Sequence, residues 1–321
     1  MMVSILVTGA SGMVGAAVVE RLQRDVGIHV AGAVRREVAG GHLSNFRITG
    51  DIGPETDWTA SLSGVDVVIH CAARVHVMGE HNGDEALRKF REVNVAGTER
   101  LAQACARAGV RRLVFVSSVK VNGESTSQRA PFRHDDPPAP QDAYGISKWE
   151  AEASLWGVSK KTGLEVVVVR PPLVYGPGVK ANFLRLMQAV ARGVPLPFGA
   201  VRNLRSMVYV ANLSDLLAVA ATHPGAAGHT FMVSDGDDLS TRRLIEGLAK
   251  AMGVRPRLLP VPCGWMRASA RILGKAATSD RVLGSLQVDI EHTRRQLGWN
   301  PPCTVHDGLQ ETVAAWRNSQ C

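Results

Sequence analysis

The stretch Val3-Ser4-Ile5-Leu6-Val7-Thr8-Gly9-Ala10-Ser11-Gly12-Met13-Val14-Gly15 decides the fold. A short apolar run rich in β-branched residues meets a loop with glycine at every third position. A helical pattern then starts at Met13, with Val14, Ala17, Val18 and Leu22 on one face as far as Arg24. Glycines at 9, 12 and 15 permit a tight turn, a close backbone approach and close packing of helix on strand. The helix N-terminus behind them offers free N–H groups to an anion. The spacing is G-x-x-G-x-x-G rather than G-x-G-x-x-G. In this strand–loop–helix context it predicts a dinucleotide pyrophosphate site formed by Gly9, Ser11, Gly12, Met13, Val14 and Gly15.

Outward from that loop the same alternation continues. Strands are predicted at Val3–Thr8, Ile28–Val34, Phe46–Thr49, Val65–His70, Leu113–Ser117 and Glu165–Arg170, and helices at Met13–Arg24, Asp84–Ala108 and Ala143–Lys161. Alternating strands and helices imply βαβ units, hence an α/β fold with a Rossmann-type doubly wound parallel sheet. After Arg170 prolines and glycines interrupt the rhythm. Helical patterns resume at Ala181–Ala191, Leu213–Ala220, Ser240–Ala251, Asp289–Leu297 and Val305–Arg317. The expected organisation is a cofactor domain over 1–170 and a smaller C-terminal substrate lobe over 171–321, with some of its segments returning to the sheet.

Composition bounds the rest. The 321 residues carry a net charge of +8 and are 45% hydrophobic, ordinary for a globular chain able to bury a large core. No apolar run reaches the roughly 18 residues of a membrane span, and no signal-peptide pattern opens the chain, so a cytoplasmic location is expected. Five cysteines without a C-x-x-C pair, and histidines without ligand spacing, predict free thiols and no metal. Lys and Arg are dispersed, which argues against nucleic acid and for small anionic ligands. Nothing in the chain fixes its oligomeric state, and a homodimer is one alternative.

Three further positions bear on the cofactor. An acidic residue at the end of the second strand would bind the ribose 2′-hydroxyl of NAD, whereas arginine suits the 2′-phosphate of NADP. This chain has Arg35 and Arg36 there, so NADP(H) is expected over NAD(H). Asp51 and Ile52 would meet the adenine edge, and Cys71, Ala72 and Ala73 would line the cofactor with small side chains.

Tyr144-Gly145-Ile146-Ser147-Lys148 is a Y-x-x-x-K element on a predicted helix, so phenol and ammonium share a face. A tyrosine has an ordinary pKa of about 10. The lysine cation, with the charge of an oxidised nicotinamide, is expected to pull it down. Ser118 lies some 26 residues upstream, at the end of the fifth strand, placed to hold a reacting oxygen.

Taken together these residues resemble the extended short-chain dehydrogenase/reductases, in the branch of UDP-glucose 4-epimerases and their relatives. The matching landmarks are Thr8–Gly15, His70–Ala73, Asn94 in V-N-V-x-G-T, Ser117-Ser118, Tyr144/Lys148 and Arg170–Gly178. The resemblance implies that Ser118, Tyr144 and Lys148 are catalytic. It also implies that Asn94 and Lys148 belong to the cofactor site, and that Pro171 and Val174 present backbone to the carboxamide. In the substrate lobe it implies a UDP-sugar held by Asn182 and Arg205 at the diphosphate, Phe198 at the uracil and Asp289 near the ribose. Lys120 stands where the epimerases carry a small hydroxyl residue, and Asn122 where they carry an aromatic. With Ala72–Met78, this looks closer to a bacterial surface-polysaccharide subgroup. The expected reaction is hydride exchange at C4 of a UDP-sugar. A UDP-4-keto-6-deoxy-hexosamine 4-reductase is favoured over a UDP-glucose or UDP-N-acetylglucosamine 4-epimerase. A 4,6-dehydratase is disfavoured, because no acid stands beside the serine: positions 119 and 120 are Val and Lys. A non-catalytic NADP(H) sensor is the alternative of a different class, opposed by retention of both Tyr144 and Lys148.

Overall fold

In a computed structural model, residues 2–36, 45–75, 83–272, 274 and 276–320 are described. The strands are β1 (Val3–Thr8), β2 (Ile28–Val34), β3 (Phe46–Ile48), β4 (Val67–His70), β5 (Arg112–Val116), β6 (Glu165–Arg170), β7 (Leu173–Tyr175), β8 (Met207–Tyr209) and β9 (Thr230–Met232). The helices are α1 (Met13–Leu22), α2 (Asp84–Phe90), α3 (Gly97–Arg107), α4 (Ala143–Thr162), α5 (Ala181–Ala191), α6 (Val210–Thr222), α7 (Thr241–Met252), α8 (Cys263–Ile272), α9 (Ala276–Leu283), α10 (Glu291–Leu297) and α11 (Val305–Asn318). Seven strands form one parallel sheet in the order β3-β2-β1-β4-β5-β6-β9, and β7 pairs with β8 in a separate parallel ribbon.

The middle strands are apolar almost throughout because both faces of the sheet are covered. On one face, Val7, Ile69, Val114 and Val167 pack with α1 and with Leu213, Leu216 and Leu217 of α6. On the other, Leu6, Val68, Phe115 and Val168 pack with Leu101 of α3 and Leu155 of α4. Val67–Ile69 and Val166–Val169 are all fully buried. The strand order reverses between β1 and β4, which opens a crevice at their carboxyl ends. The glycine loop after β1 and residues 71–75 after β4 flank it.

The second half builds its own core from α5, α7 and α11 around Tyr175 and Tyr209. Asp235, after β9, anchors it: its carboxylate accepts from Tyr209 N, Asn212 Nδ2 and Tyr175 Oη, each at 2.7 Å. Burial raises the Asp235 carboxyl, and these three donors oppose the rise. Segment 284–290 runs between the loop after β5 and the chain leading into β8. It accepts from Thr126 N and Phe132 N, and Asp289 N returns a bond to Phe132 O. Val119, Phe132, Met232, Leu286, Val288 and Ile290 form a small apolar plug there.

Candidate functional site

The glycine loop is held by close approaches that no larger residue would allow. Gly9 takes φ +67°, and a Cβ there would lie 2.8 Å from Ala72 N; a Cβ on Gly15 would lie 2.2 Å from Gly9 O. The loop is therefore pressed against the segment after β4 and against its own helix. Gly12 is the N-cap of α1 and supplies no side chain to it, and no acid occupies the first turn. The amide end of α1 is thus open to an anion. Backbone cradle and uncapped helix end both fit a dinucleotide pyrophosphate.

His70 braces this region from below. Thr8 Oγ1 lies 2.6 Å from its Nδ1 and Thr98 Oγ1 3.0 Å from its Nε2, in a site with 1% exposure. Burial, and then the Lys148 charge, holds the imidazole down at about 3, from an ordinary 6.5. The folded protein keeps His70 neutral while the unfolded chain takes up a proton below pH 6.5. The stability this gives is present above pH 6.5 and is lost as pH falls towards 3, at most about 1.4 kcal/mol per pH unit. Thermal midpoints across that window should fall more steeply for the wild type than for His70→Gln, which can still bond both threonines. Parallel curves would contradict this role.

The expected cofactor residues separate into two kinds. Arg35 and Arg36 extend beyond β2 and are exposed; Arg35 Nη1 lies 3.5 Å from Asp51 Oδ1. Asp51, assigned from sequence to the adenine edge, is thus also the partner of Arg35. Ile52 packs partly buried beside Gly97. Half-buried Cys71 has its thiol pushed up to about 12 by burial, so it is no nucleophile. Asn94 is buried and clamped: Oδ1 accepts from Arg74 N at 2.8 Å, and Nδ2 donates to Arg74 O and to Ser147 Oγ, each at 3.0 Å. It sits in a π-helical turn, Arg91–Ala96, that splits the helix expected over 84–108. Both amide hydrogens are committed to protein, so Asn94 ties the segment after β4 to α4. Pro171 O accepts from Val119 N at 2.9 Å, and Val174 lies half-buried in β7. Of the expected run Ala72–Met78, residues 76–78 lie outside the described residues.

Helix α4 carries the candidate proton-transfer pair. Asp142 caps it, accepting from Gly145 N at 2.7 Å, and sets the first turn from which Tyr144 projects. The turn Val119–Val121 after β5 packs on that first turn so closely that a Cβ on Gly145 would lie 2.9 Å from Lys120 O. Ser118, at the start of the turn and nearly buried, accepts from Lys120 N at 3.2 Å. The fold thus brings the segments bearing Ser118, Tyr144 and Lys148 into contact. Lys148 is 2% exposed, donates to Val116 O at 2.8 Å and lies 4.5 Å from the Phe115 ring centre and 5.9 Å from that of Tyr144. Burial pushes its ammonium down to about 8, while Cys71 and Glu152 pull it up.

Tyr144 and Lys120 each have a further partner that bears on their expected roles. Burial, reinforced by the Asp142 charge, raises the Tyr144 phenol instead of lowering it. A depressed phenol is not a property of the protein alone, since desolvation of the phenolate outweighs a lysine at this distance. Lys120, expected to face substrate, spends its charge internally: its ammonium pairs with Asp142 and lies 3.1 Å from Glu124 Oε1.

The substrate-lobe residues are only partly assembled. Arg205 sits between Leu239 and Leu286 in isolated bridges and donates to Gly284 O at 3.1 Å; burial lowers its guanidinium and Glu124 opposes the shift. Asp289, at the far end of the same segment, accepts from Glu291 N at 2.8 Å in the turn that precedes α10. Phe198 is half-buried against the second-half core. Asn182 is exposed on the first turn of α5, beside Ala181 at φ 55°.

Sequence reasoning missed a buried network behind the pair. Arg170 grips Glu152 with Nε at 3.0 Å and Nη2 at 2.6 Å, and also reaches Asn122 Oδ1 at 3.2 Å. Ser117 Oγ donates to Glu152 Oε1 at 2.5 Å. Glu152 follows Lys148 by four residues, the same spacing that joins Lys148 to Tyr144, and that signal was available. The network fixes the end of β5, the end of β6 and the middle of α4 as one unit.

The model of the NAD dependent epimerase/dehydratase family matches residues 5–234. The chain belongs to that family. Like its relatives it is an NAD(P)-dependent enzyme of the extended short-chain dehydrogenase/reductase type. It is 45% identical over 314 residues to a UDP-glucose 4-epimerase of Vibrio cholerae, covering 98% of this chain and 95% of that one. It is 27% identical to an N-acetyl-alpha-D-glucosaminyl-diphospho-ditrans,octacis-undecaprenol 4-epimerase of Escherichia coli O157:H7, covering 97% and 94%. The solved structure of MoeE5 in complex with UDP-glucose and NAD superimposes with a TM-score of 0.78 at 26% identity, over 99% and 100% of the two chains.

Proposed function

We propose that this family member redistributes hydrogen at C4 of a UDP-sugar, and that its reaction is a 4-epimerisation. The observation that supports this reading is the contact of the Ser118 turn with the first turn of α4, so that a hydroxyl and a phenol are borne by adjoining segments. In it Tyr144 takes the proton from O4 and later returns it, Ser118 steadies that oxygen, and Lys148 holds the nicotinamide ribose. Bound NAD(P) would supply the acceptor and donor for the C4 hydrogen, held by residues 9–15 and the backbone after β4. Arg205, Asn182, Phe198 and Asp289 are proposed to hold the nucleotide. The 45% identity to a named UDP-glucose 4-epimerase supports epimerase over reductase.

A single-pass 4-reductase using NADPH is the second reading, and Arg35 and Arg36 favour it. Their side chains lie at the end of β2, where a 2′-phosphate would arrive. A lost charge-assisted contact costs about 1.5–3 kcal/mol, roughly ten- to a hundredfold in affinity. If the arginines read that phosphate, Arg35→Ala with Arg36→Ala weakens NADPH by this factor and leaves NADH nearly unchanged in a fluorescence titration. Equal effects on both cofactors would make the arginines generic surface charge. Mass spectrometry of the cofactor released from purified protein then separates the two reactions: retained NAD⁺ accompanies an epimerase, exchangeable NADPH a reductase.

A further inference from the structure

From Gly247 to Ser279 the sequence contains no acidic residue, against Lys250, Arg255, Arg257, Arg267, Arg271 and Lys275. A large part of the chain's net charge of +8 is thus concentrated in about a tenth of its length. The same segment holds a disproportionate share of the exposed large apolar side chains: Val254, Leu259, Trp265 and Ile272, the last two at 75% and 86% exposure. Pairing of Leu196 with Leu258 adds Val194, also exposed, to this surface, and Gly193 lies beside Arg257. Apolar groups of this size are usually covered, and here they share one face with cations.

Helix α8 shows how that face is built. None of its residues is buried. At 3.6 residues per turn, Trp265, Ala268 and Ile272 line one stripe, with Arg271 along its edge and Arg267 further round the same side. Met266 and Ala270 turn the other way and are half-buried. Asp280 lies near the stripe, its Oδ1 4.0 Å from Arg267 Nε. A tryptophan and an isoleucine with arginines on the same exposed helix match the chemistry of the bilayer interface: an apolar stripe for the acyl boundary and cations for lipid phosphates. A second copy of the chain is the poorer occupant, since it would set like charge against like.

We propose that α8 and the adjoining residues 254–259 dock the enzyme on an anionic lipid surface. The docking is peripheral: no described helix is long and apolar enough to cross a membrane. Leu258 pairs with Leu196, two residues before Phe198, so a docked enzyme would hold the residue proposed to meet the nucleotide close to that surface.

Cosedimentation of the full chain with vesicles tests this. Wild type should pellet with phosphatidylcholine mixed equally with phosphatidylglycerol, stay in solution with phosphatidylcholine alone, and be released by salt. Arg267→Ala with Arg271→Ala should weaken binding roughly 30-fold, from about 1 kcal/mol for each cation at the surface. Trp265→Ser with Ile272→Ser should weaken it by about tenfold or more. Arg255→Ala with Arg257→Ala, which leaves α8 untouched, should also weaken it, and all three variants should melt at the wild-type temperature. The proposal falls if wild type ignores anionic vesicles, or if it binds neutral ones equally. It falls also if folded variants bind as wild type does. A dimer that Trp265→Ser with Ile272→Ser splits, with no vesicle binding, would assign the face to a second copy. Retention on single-stranded RNA without vesicle binding would assign it to nucleic acid.

Discussion

Tyr144→Phe lowers turnover by about 10² or more while cofactor affinity stays within twofold of wild type. The substitution removes one hydroxyl and nothing else: the ring keeps its edge contact with Phe90, centroids 6.0 Å apart, and α4 keeps its Asp142 cap. Removal of a positioned general acid–base costs about 10²–10⁴ in rate. The raised phenol in the protein alone adds a corollary. If Tyr144 takes the substrate proton as proposed, the positive charge of an oxidised nicotinamide would favour its phenolate, so binding of NAD⁺, not of NADH, should lower the pH at which Tyr144 ionises. Ultraviolet difference spectra of wild type and Tyr144→Phe, each titrated with and without cofactor, read that directly. Turnover within twofold of wild type would remove Tyr144 from the chemistry.

Arg170→Met destabilises the fold by about 3–5 kcal/mol, the cost of leaving one half of a buried ion pair without its partner. The Arg170 and Glu152 side chains are 8% and 3% exposed, so water cannot replace the lost guanidinium. Adding Glu152→Gln removes the stranded charge and should recover most of the loss. Denaturant unfolding of wild type, Arg170→Met and the double variant makes the comparison. A single-variant cost under about 1 kcal/mol would mean that the pair is not buried as described. Because the same carboxylate holds Ser117, one residue before Ser118, the single variant should also lower turnover beyond what its stability predicts.

Much of this was readable before any coordinates. β1, β2 and β6 run over Val3–Thr8, Ile28–Val34 and Glu165–Arg170 as their apolar runs predict, because the later residues of each are buried between the layers. The glycine loop and the Tyr144–Lys148 face follow from local geometry alone. What stayed hidden depends on partners distant in sequence. A six-residue π turn around Asn94 leaves the apolar pattern of 84–108 almost unchanged, so one helix was expected where there are two with a π turn between them. The pairing of Lys120 with Asp142 leaves no local signal, because the two are 22 residues apart. β7, β8 and β9 have three residues each, too few to show a period. α8 escaped because prolines at 260 and 262 precede it and its apolar stripe faces outward, against the usual reading of amphipathicity.

The measurement that bears most directly on the central claim follows one isotope. The purified enzyme is offered UDP-glucose, UDP-N-acetylglucosamine and their 6-deoxy relatives deuterated at C4, and products and cofactor are analysed by mass spectrometry and proton NMR. If the site works at C4 as proposed, one of these sugars gives up its deuterium to the nicotinamide, and the C4 epimer recovers it at C4. A nucleotide sugar that is bound and converted while its C4 deuterium never reaches the cofactor would contradict the account.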